Sequence, residues 1–313
     1  MNNTREVRSD ATLALRVSRR AFLATAGCAT AGLWPQFARA IDPFPRTRKS
    51  HFKLSLAAFS YKPYLTGEKS PKMDLFQFVD LAADLAVDAV ELTSYYFPDN
   101  VNTDYLHRLK QHAFVLGLDV SGTSVMNDFC LPAGPETDRE IAHVKAWIDN
   151  AAELDAPFVR ILSGNWVQGT PDSELEQRVI DRISQLLPYA EKRGVILALE
   201  NHGGGVTTTP ENLLRIVKAI KGPAFGVNLD TGNFHGPDPY AEVAECVPYS
   251  VNVQVKTEIR RRGQSKEDAD LGKVVGILRQ ANYSGYVVLE YNAQKDPMTV
   301  VPRYVKQLRT LIA

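Results

Sequence analysis

The sequence has no net charge and contains few histidines. Lysine plus arginine and aspartate plus glutamate both number 36, and there are six histidines among 313 residues. Residues 1–40 hold six arginines and two acidic residues, so the remaining chain carries 30 basic and 34 acidic side chains. This slightly acidic balance provides no basic surface for nucleic acid. The hydrophobic content of 44% is typical of an ordinary globular protein.

Cysteine is also scarce, with three in the chain. Cys28 lies in the N-terminal segment, which leaves Cys130 and Cys246 for the rest of the protein. These two could form a disulfide outside the cytoplasm, but two distant cysteines in a large domain are more often free and buried. The sequence leaves both arrangements open.

The N-terminus has the features of a targeting segment. Ser18-Arg19-Arg20-Ala21-Phe22-Leu23 resembles a twin-arginine export signal, residues 21–37 are uncharged, and Ala38-Arg39-Ala40 offers a cleavage site. The uncharged stretch is shorter than the roughly 20 residues that span a bilayer. We therefore predict a twin-arginine signal at residues 1–40, a single catalytic domain at residues 41–313, a periplasmic or other extracytoplasmic location, and no stable membrane association after cleavage.

Eight short apolar runs alternate with amphipathic helical stretches from Lys53 onward. The runs are Leu54 to Tyr61, Ala89 to Leu92, Leu118 to Val125, Phe158 to Leu162, Val195 to Leu199, Phe225 to Leu229, Val251 to Val255 and Tyr286 to Leu289. Eight β–α units in about 260 residues match a (β/α)₈ TIM barrel. The alternative is a doubly wound open sheet, but no glycine-rich phosphate loop follows the first run. We predict the barrel.

Oxygen-bearing side chains end the last four predicted strands. Glu200, Asp230, Gln254 and Glu290 would meet at the mouth of the barrel, because the carboxyl ends of its strands share one face. Three carboxylates in an enclosed site repel one another unless they are protonated or bind a cation. An all-oxygen donor set suits Mn²⁺ or Mg²⁺ better than Zn²⁺. We predict one divalent metal ion, with Co²⁺ and Zn²⁺ as alternatives.

Motifs at these strand ends resemble the xylose isomerase-like barrels grouped as sugar phosphate isomerases/epimerases. The motifs are Ala89-Val-Glu91-Leu, Leu199-Glu-Asn-His202, Asn228-Leu-Asp-Thr-Gly-Asn233, Val253-Gln-Val-Lys256 and Tyr283-Ser-Gly-Tyr286 leading into Glu290. The resemblance covers about residues 53–312. It implies that Glu200, Asp230, Gln254 and Glu290 are metal ligands, although Gln254 and Asn233 stand where many members have histidine.

The resemblance also implies a chemistry. Isomerases of this type move a proton on a carbon next to a carbonyl, and Glu200 and Glu290 would be the acid/base residues. We expect the remaining substrate contacts to be His202, Lys256, Glu91, Asn233, Arg260 and Trp166.

Several alternatives use the same sequence features. A metal-dependent lyase or dehydratase acting on keto-sugars or 3-keto-glycosides would need the same residues. A barrel that binds sugar without catalysis is less favoured, because Glu200 and Glu290 are intact. An abasic-site endonuclease is disfavoured, because only His202 and His235 could reach the mouth and there is no basic face. We expect a small, non-phosphorylated sugar as the partner, since sugar phosphates are scarce outside the cytoplasm. A homo-oligomer is left open.

Overall fold

The computed structural model describes residues 42–313, so the predicted export signal lies outside the described residues. In this range no helix is both long enough and apolar enough to cross a membrane.

Eight parallel strands close into a barrel, which confirms the predicted fold. They are β1 (Phe52–Ala57), β2 (Ala89–Thr93), β3 (Asp119–Ser124), β4 (Phe158–Ile161), β5 (Ile196–Glu200), β6 (Phe225–Asp230), β7 (Ser250–Lys256) and β10 (Gly285–Glu290). Neighbours follow the order β1-β10-β7-β6-β5-β4-β3-β2, and β1 also pairs with β2. The last residues of all eight strands therefore lie on one face of the barrel.

Helices surround the barrel, and a small hairpin was not predicted. The helices are α1 (Lys62–Leu65), α2 (Leu75–Asp84), α3 (Thr103–Val115), α4 (Pro135–Glu153), α5 (Asp172–Arg193), α6 (Pro210–Ala219), α7 (Pro239–Cys246), α8 (Leu271–Gln280) and α9 (Pro297–Ile312). The hairpin joins β8 (Glu258–Arg260) to β9 (Lys266–Asp268) between β7 and α8. Its strands are three residues long, which is too short for an apolar pattern to show.

Local signals explain where the helices begin and end. The Asp74 carboxylate accepts a hydrogen bond from Gln77 N at 2.9 Å, and the Gln77 side chain accepts one from Asp74 N at 3.0 Å, which forms a capping box before α2. Gly194 ends α5 with φ of 70°, a left-handed conformation that favours glycine.

The first predicted strand is too long. Strand β1 ends at Ala57, and Ala58–Tyr61 form a 3₁₀ turn. The turn is held by Ser60, whose hydroxyl donates to Leu289 O at 3.2 Å and accepts from Tyr291 N at 3.0 Å. These bonds tie the turn to the end of β10.

The interior of the barrel is unusually polar. The buried hydroxyls of Ser55 and Ser121 are hydrogen-bonded to each other at 2.7 Å. Glu91, Asn228 and Asn252 are buried as well. Buried polar groups need hydrogen-bond partners, so these side chains are positioned by one another rather than by apolar packing.

The two cysteines of the described chain, Cys130 and Cys246, are free and buried. This resolves the alternative that the sequence left open in favour of free thiols.

Candidate active site

Three carboxylates of the predicted site lie at the mouth of the barrel. Glu200, Asp230 and Glu290 are the last residues of β5, β6 and β10, and all three are buried. Their strands are short and almost wholly apolar before these positions, so the first charged side chain falls where the interior opens. Burial raises the pKa of Asp230 to about 7, even though the neighbouring Lys256 ammonium lowers it.

Lys256, the last residue of β7, places its ammonium between two of these carboxylates. Lys256 Nζ lies 3.2 Å from Asp230 Oδ2 and contacts Glu290 Oε1. The ring of Phe59 lies 5.7 Å from the same nitrogen. Burial alone would lower the pKa of Lys256, but Asp230 and Glu290 outweigh it and raise the pKa, so the ammonium stays charged.

Glu200 is held by a residue that sequence reasoning missed. Arg160 Nε lies 2.9 Å from Glu200 Oε2 as an ion pair, and Asn233 Nδ2 donates to Glu200 Oε1 at 3.0 Å. The ion pair lacks hydrogen-bond geometry at Nε. Burial raises the pKa of Glu200, and the charge of Arg160 opposes that rise.

Arg160 is itself fixed by the protein. Its guanidinium also donates to Val125 O at 3.1 Å and to the Tyr95 hydroxyl at 2.9 Å. The sequence contained a sign of this pairing. Arg160 interrupts the apolar run Phe158–Ile161, and an arginine is rarely buried unless it has a partner of opposite charge.

Gln254 and Glu91 form a hydrogen-bonded layer across the barrel interior. Gln254 Nε2 donates to Glu91 Oε1 at 2.5 Å, and Gln254 Oε1 accepts from Asn228 Nδ2 at 2.8 Å. Asn252 Nδ2 donates to Glu91 Oε2 at 3.0 Å. Burial, followed by the charge of Glu290, raises the pKa of Glu91 to about 8. The structure thus brings both predicted residues close to the carboxylates, with Glu91 bonded to Gln254.

The other predicted substrate contacts surround this centre. Asn233 bonds Glu200, whereas His202 is exposed in the loop after β5. Trp166 is 52% exposed, and its indole nitrogen donates to Asp172 at 3.0 Å. Arg260 lies on the hairpin strand β8, and within residues 42–313 it forms no ion pair with the three carboxylates of the site.

A cavity of about 170 Å³ lies between the hairpin and Lys256. Its lining includes Arg260 and Glu258 from the hairpin, together with Lys256, Asn233 and His235. A substrate in this cavity would contact Lys256 on one side and the hairpin on the other.

Comparison with known proteins decides the family. A family model described as the xylose isomerase-like TIM barrel matches residues 79–311. The chain belongs to this family. No curated protein matches the sequence of this chain.

Solved structures with the same fold include sugar epimerases. L-ribulose 3-epimerase is 17% identical, with a TM-score of 0.68 over 83% of this chain and 96% of that chain. The IolI protein with a bound zinc atom is 17% identical, with a TM-score of 0.66 over 83% of this chain and 96% of the other. The 3-keto-D-glucoside 4-epimerase YcjR from E. coli is 14% identical, with a TM-score of 0.61 over 84% and 100%. At these identities the likeness establishes the shared barrel.

The donor set of this family member is chemically suited to a hard divalent cation. Asp230 Oδ2 is buried and has no hydrogen-bond partner within the described chain. Gln254 Oε1 accepts one hydrogen bond and keeps a second lone pair. As they stand, however, no three histidine, cysteine or acidic side chains in residues 42–313 are arranged to hold a metal. In this arrangement the carboxylates are paired instead with Lys256 and Arg160.

Proposed function

We propose that the protein is a divalent-metal-dependent isomerase or epimerase that moves a proton on a non-phosphorylated sugar. The observation that carries this proposal is the pair Glu200 and Glu290. Both are buried strand-end carboxylates, and strands β6 and β7 separate their strands in the barrel. They therefore approach the mouth from different sides, as two acid/base groups acting on opposite faces of one substrate carbon must.

Glu200 is the better positioned of the two for removing a proton. Arg160 and Asn233 each hold one of its carboxylate oxygens, which fixes the plane of the carboxylate. Burial raises the pKa of Glu200, and a carboxylate with a raised pKa is a stronger base. Glu290 would return the proton from the other side.

Lys256 and the other polar groups would orient the substrate. The Lys256 ammonium lies beside Glu290 and lines the adjoining cavity, so it can donate to a sugar oxygen. Glu200, Asp230, Gln254 and Glu290 would hold the metal ion, for which Mn²⁺ or Mg²⁺ is favoured by the oxygen donors. When bound, the metal would stabilise negative charge that develops on the substrate oxygens.

Two further points concern the substrate. Arg160 is paired with Glu200 and also donates to Val125 O and the Tyr95 hydroxyl, so this buried cation is not free to bind a phosphate. The names of L-ribulose 3-epimerase and 3-keto-D-glucoside 4-epimerase describe changes at carbons of non-phosphorylated sugars. Together with the export motif at residues 18–23, these points support our proposal of a free or keto-sugar substrate outside the cytoplasm.

Proton exchange tests the proposal directly. The protein starting at Ile41 would be loaded with Mn²⁺ or Mg²⁺ in D₂O and mixed with free ketoses, aldoses and 3-keto-glycosides. NMR would follow deuterium entering the carbon next to the carbonyl, using Mg²⁺ where Mn²⁺ broadens the signals. We expect exchange that EDTA abolishes and that E200Q and E290Q each lower by at least about 10²-fold.

The controls separate the outcomes. Glu211→Gln removes an exposed carboxylate on α6 and should leave exchange unchanged. A rearranged sugar would identify an isomerase or epimerase, whereas a released aglycone or unsaturated sugar would identify the lyase alternative. Exchange that survives in the E200Q/E290Q double variant would rule out the proposed acid/base pair.

A further inference from the structure

A cation of the protein's own lies where the carboxylates of β6 and β10 converge. Lys256 Nζ contacts Glu290 Oε1 and lies 3.2 Å from Asp230 Oδ2. The side chain of Asp230 is fully buried, and those of Lys256 and Glu290 are 14% and 11% exposed. Water therefore screens these charges little, and the Lys256 ammonium supplies the positive charge that balances the buried Asp230 carboxylate.

A divalent metal would need the same two oxygens. Metal–oxygen distances are about 2.0–2.6 Å, so a metal bound to Asp230 Oδ2 and Glu290 Oε1 would lie within about 5 Å of the present Lys256 nitrogen, which contacts the same two carboxylates. Two positive centres this close in a buried site repel strongly. The ammonium in its present place and a metal would therefore compete for the same two carboxylates.

Space for the ammonium to move is present beside it. Lys256 lines the cavity of about 170 Å³, and Asn233 and Glu258 line it as well. Its four-carbon side chain can swing into this cavity without a change in the backbone of β7, because lysine is a flexible point charge.

We propose that Lys256 is a resident counter-ion of the metal site: its ammonium neutralises Asp230 and Glu290 in the metal-free protein, moves into the adjoining cavity when a metal binds, and thereby weakens metal affinity. This inference rests on the metal site of the proposed function. It also explains how a buried cluster of carboxylates remains folded before a metal is loaded.

Mn²⁺ binding to the metal-free protein tests this inference without any substrate. Free Mn²⁺ would be measured by electron paramagnetic resonance for the wild type and for Lys256→Met, which keeps the chain length and removes the charge. We expect Lys256→Met to bind Mn²⁺ at least tenfold more tightly. Lys69→Met is the matched control, because Lys69 pairs with Asp296 at the surface and should leave Mn²⁺ affinity unchanged.

Thermal unfolding gives a second readout. Without metal, Lys256→Met should melt below the wild type, and Mn²⁺ should raise its melting temperature by more than it raises that of the wild type. Lys256→Gln, which retains a hydrogen-bond donor, serves if Lys256→Met does not fold.

The possible results separate two failures. Equal or weaker Mn²⁺ binding by both variants, with a wild type that binds Mn²⁺, would overturn the counter-ion role and leave the metal site intact. If neither the wild type nor a folded Lys256 variant binds Mn²⁺, the metal site itself is refuted, and this inference falls with it.

Discussion

Replacing Arg160 by methionine should strongly destabilise the barrel, because it leaves the Glu200 carboxylate buried without its cation. Arg160 and Glu200 are 8% and 5% exposed, and their charged atoms lie 2.9 Å apart. The same change removes the hydrogen bonds to Val125 O and to the Tyr95 hydroxyl. Methionine restores some of the apolar volume but none of the charge.

The expected magnitude follows from the burial. Removing one partner of a buried ion pair costs about 3–5 kcal/mol, whereas an exposed pair contributes about 1 kcal/mol or less. For a domain of this size each kcal/mol shifts the melting temperature by about 2–4 °C, so Arg160→Met should melt about 6–20 °C below the wild type. The melting temperature of Arg160→Lys should fall between those of the wild type and Arg160→Met, since one ammonium keeps the charge but cannot replace the three contacts of the guanidinium.

Differential scanning calorimetry on metal-free protein would measure these differences. Arg108→Met is the matched control, because Arg108 pairs with Asp104 on the exposed face of α3 and its loss should shift the melting temperature by only a few degrees.

A double-variant cycle identifies the cause. Arg160→Met combined with Glu200→Gln removes both charges, and it should melt above Arg160→Met alone because the unpaired carboxylate is gone. A melting temperature for Arg160→Met within about 2 °C of the wild type would refute the reasoning. So would a double variant that melts below Arg160→Met.

The fold was predictable because its signals are local and repeated. Apolar runs such as Val195 to Leu199 show that a strand is covered on both faces, and Asp74 and Gln77 form a capping box that can be read from the sequence. The 3₁₀ turn Ala58–Tyr61 was not predictable, because Ser60 is held by β10, more than 200 residues away along the chain. The β8–β9 hairpin was missed because its short strands contain little apolar sequence.

The carboxylates of the site were predictable for a related reason. Glu200, Asp230 and Glu290 each end a strand, and parallel strands of a barrel end on one face. What neutralises them was not predictable. Strand periodicity gives the direction of Lys256 but not which carboxylate its long side chain reaches, and Arg160 acts from β4, outside the four strands that carry the predicted ligands. Charge pairing depends on side-chain conformations that the sequence pattern does not specify.

The remaining predictions concern positions away from the site. Gly122→Ala should destabilise the protein by about 1–3 kcal/mol, because a Cβ there would lie 2.1–2.7 Å from atoms of the Phe158 ring. Gly276→Ala should instead stabilise the protein by about 0.5–1 kcal/mol, because this position on α8 faces open space. Thermal melts of the two variants and the wild type would measure both effects. The Lys53 ammonium holds the pKa of Asp119 below its usual value, so the stability from this carboxylate is present above its unfolded-state pKa and is lost as pH falls through the folded-state value. Asp119→Asn should therefore lower the melting temperature slightly at pH 7, consistent with an exposed pair, and the difference should shrink as the pH falls below the ordinary pKa of aspartate. A difference that stays constant over this pH range would show that Asp119 acts through its shape and hydrogen bonds rather than its charge.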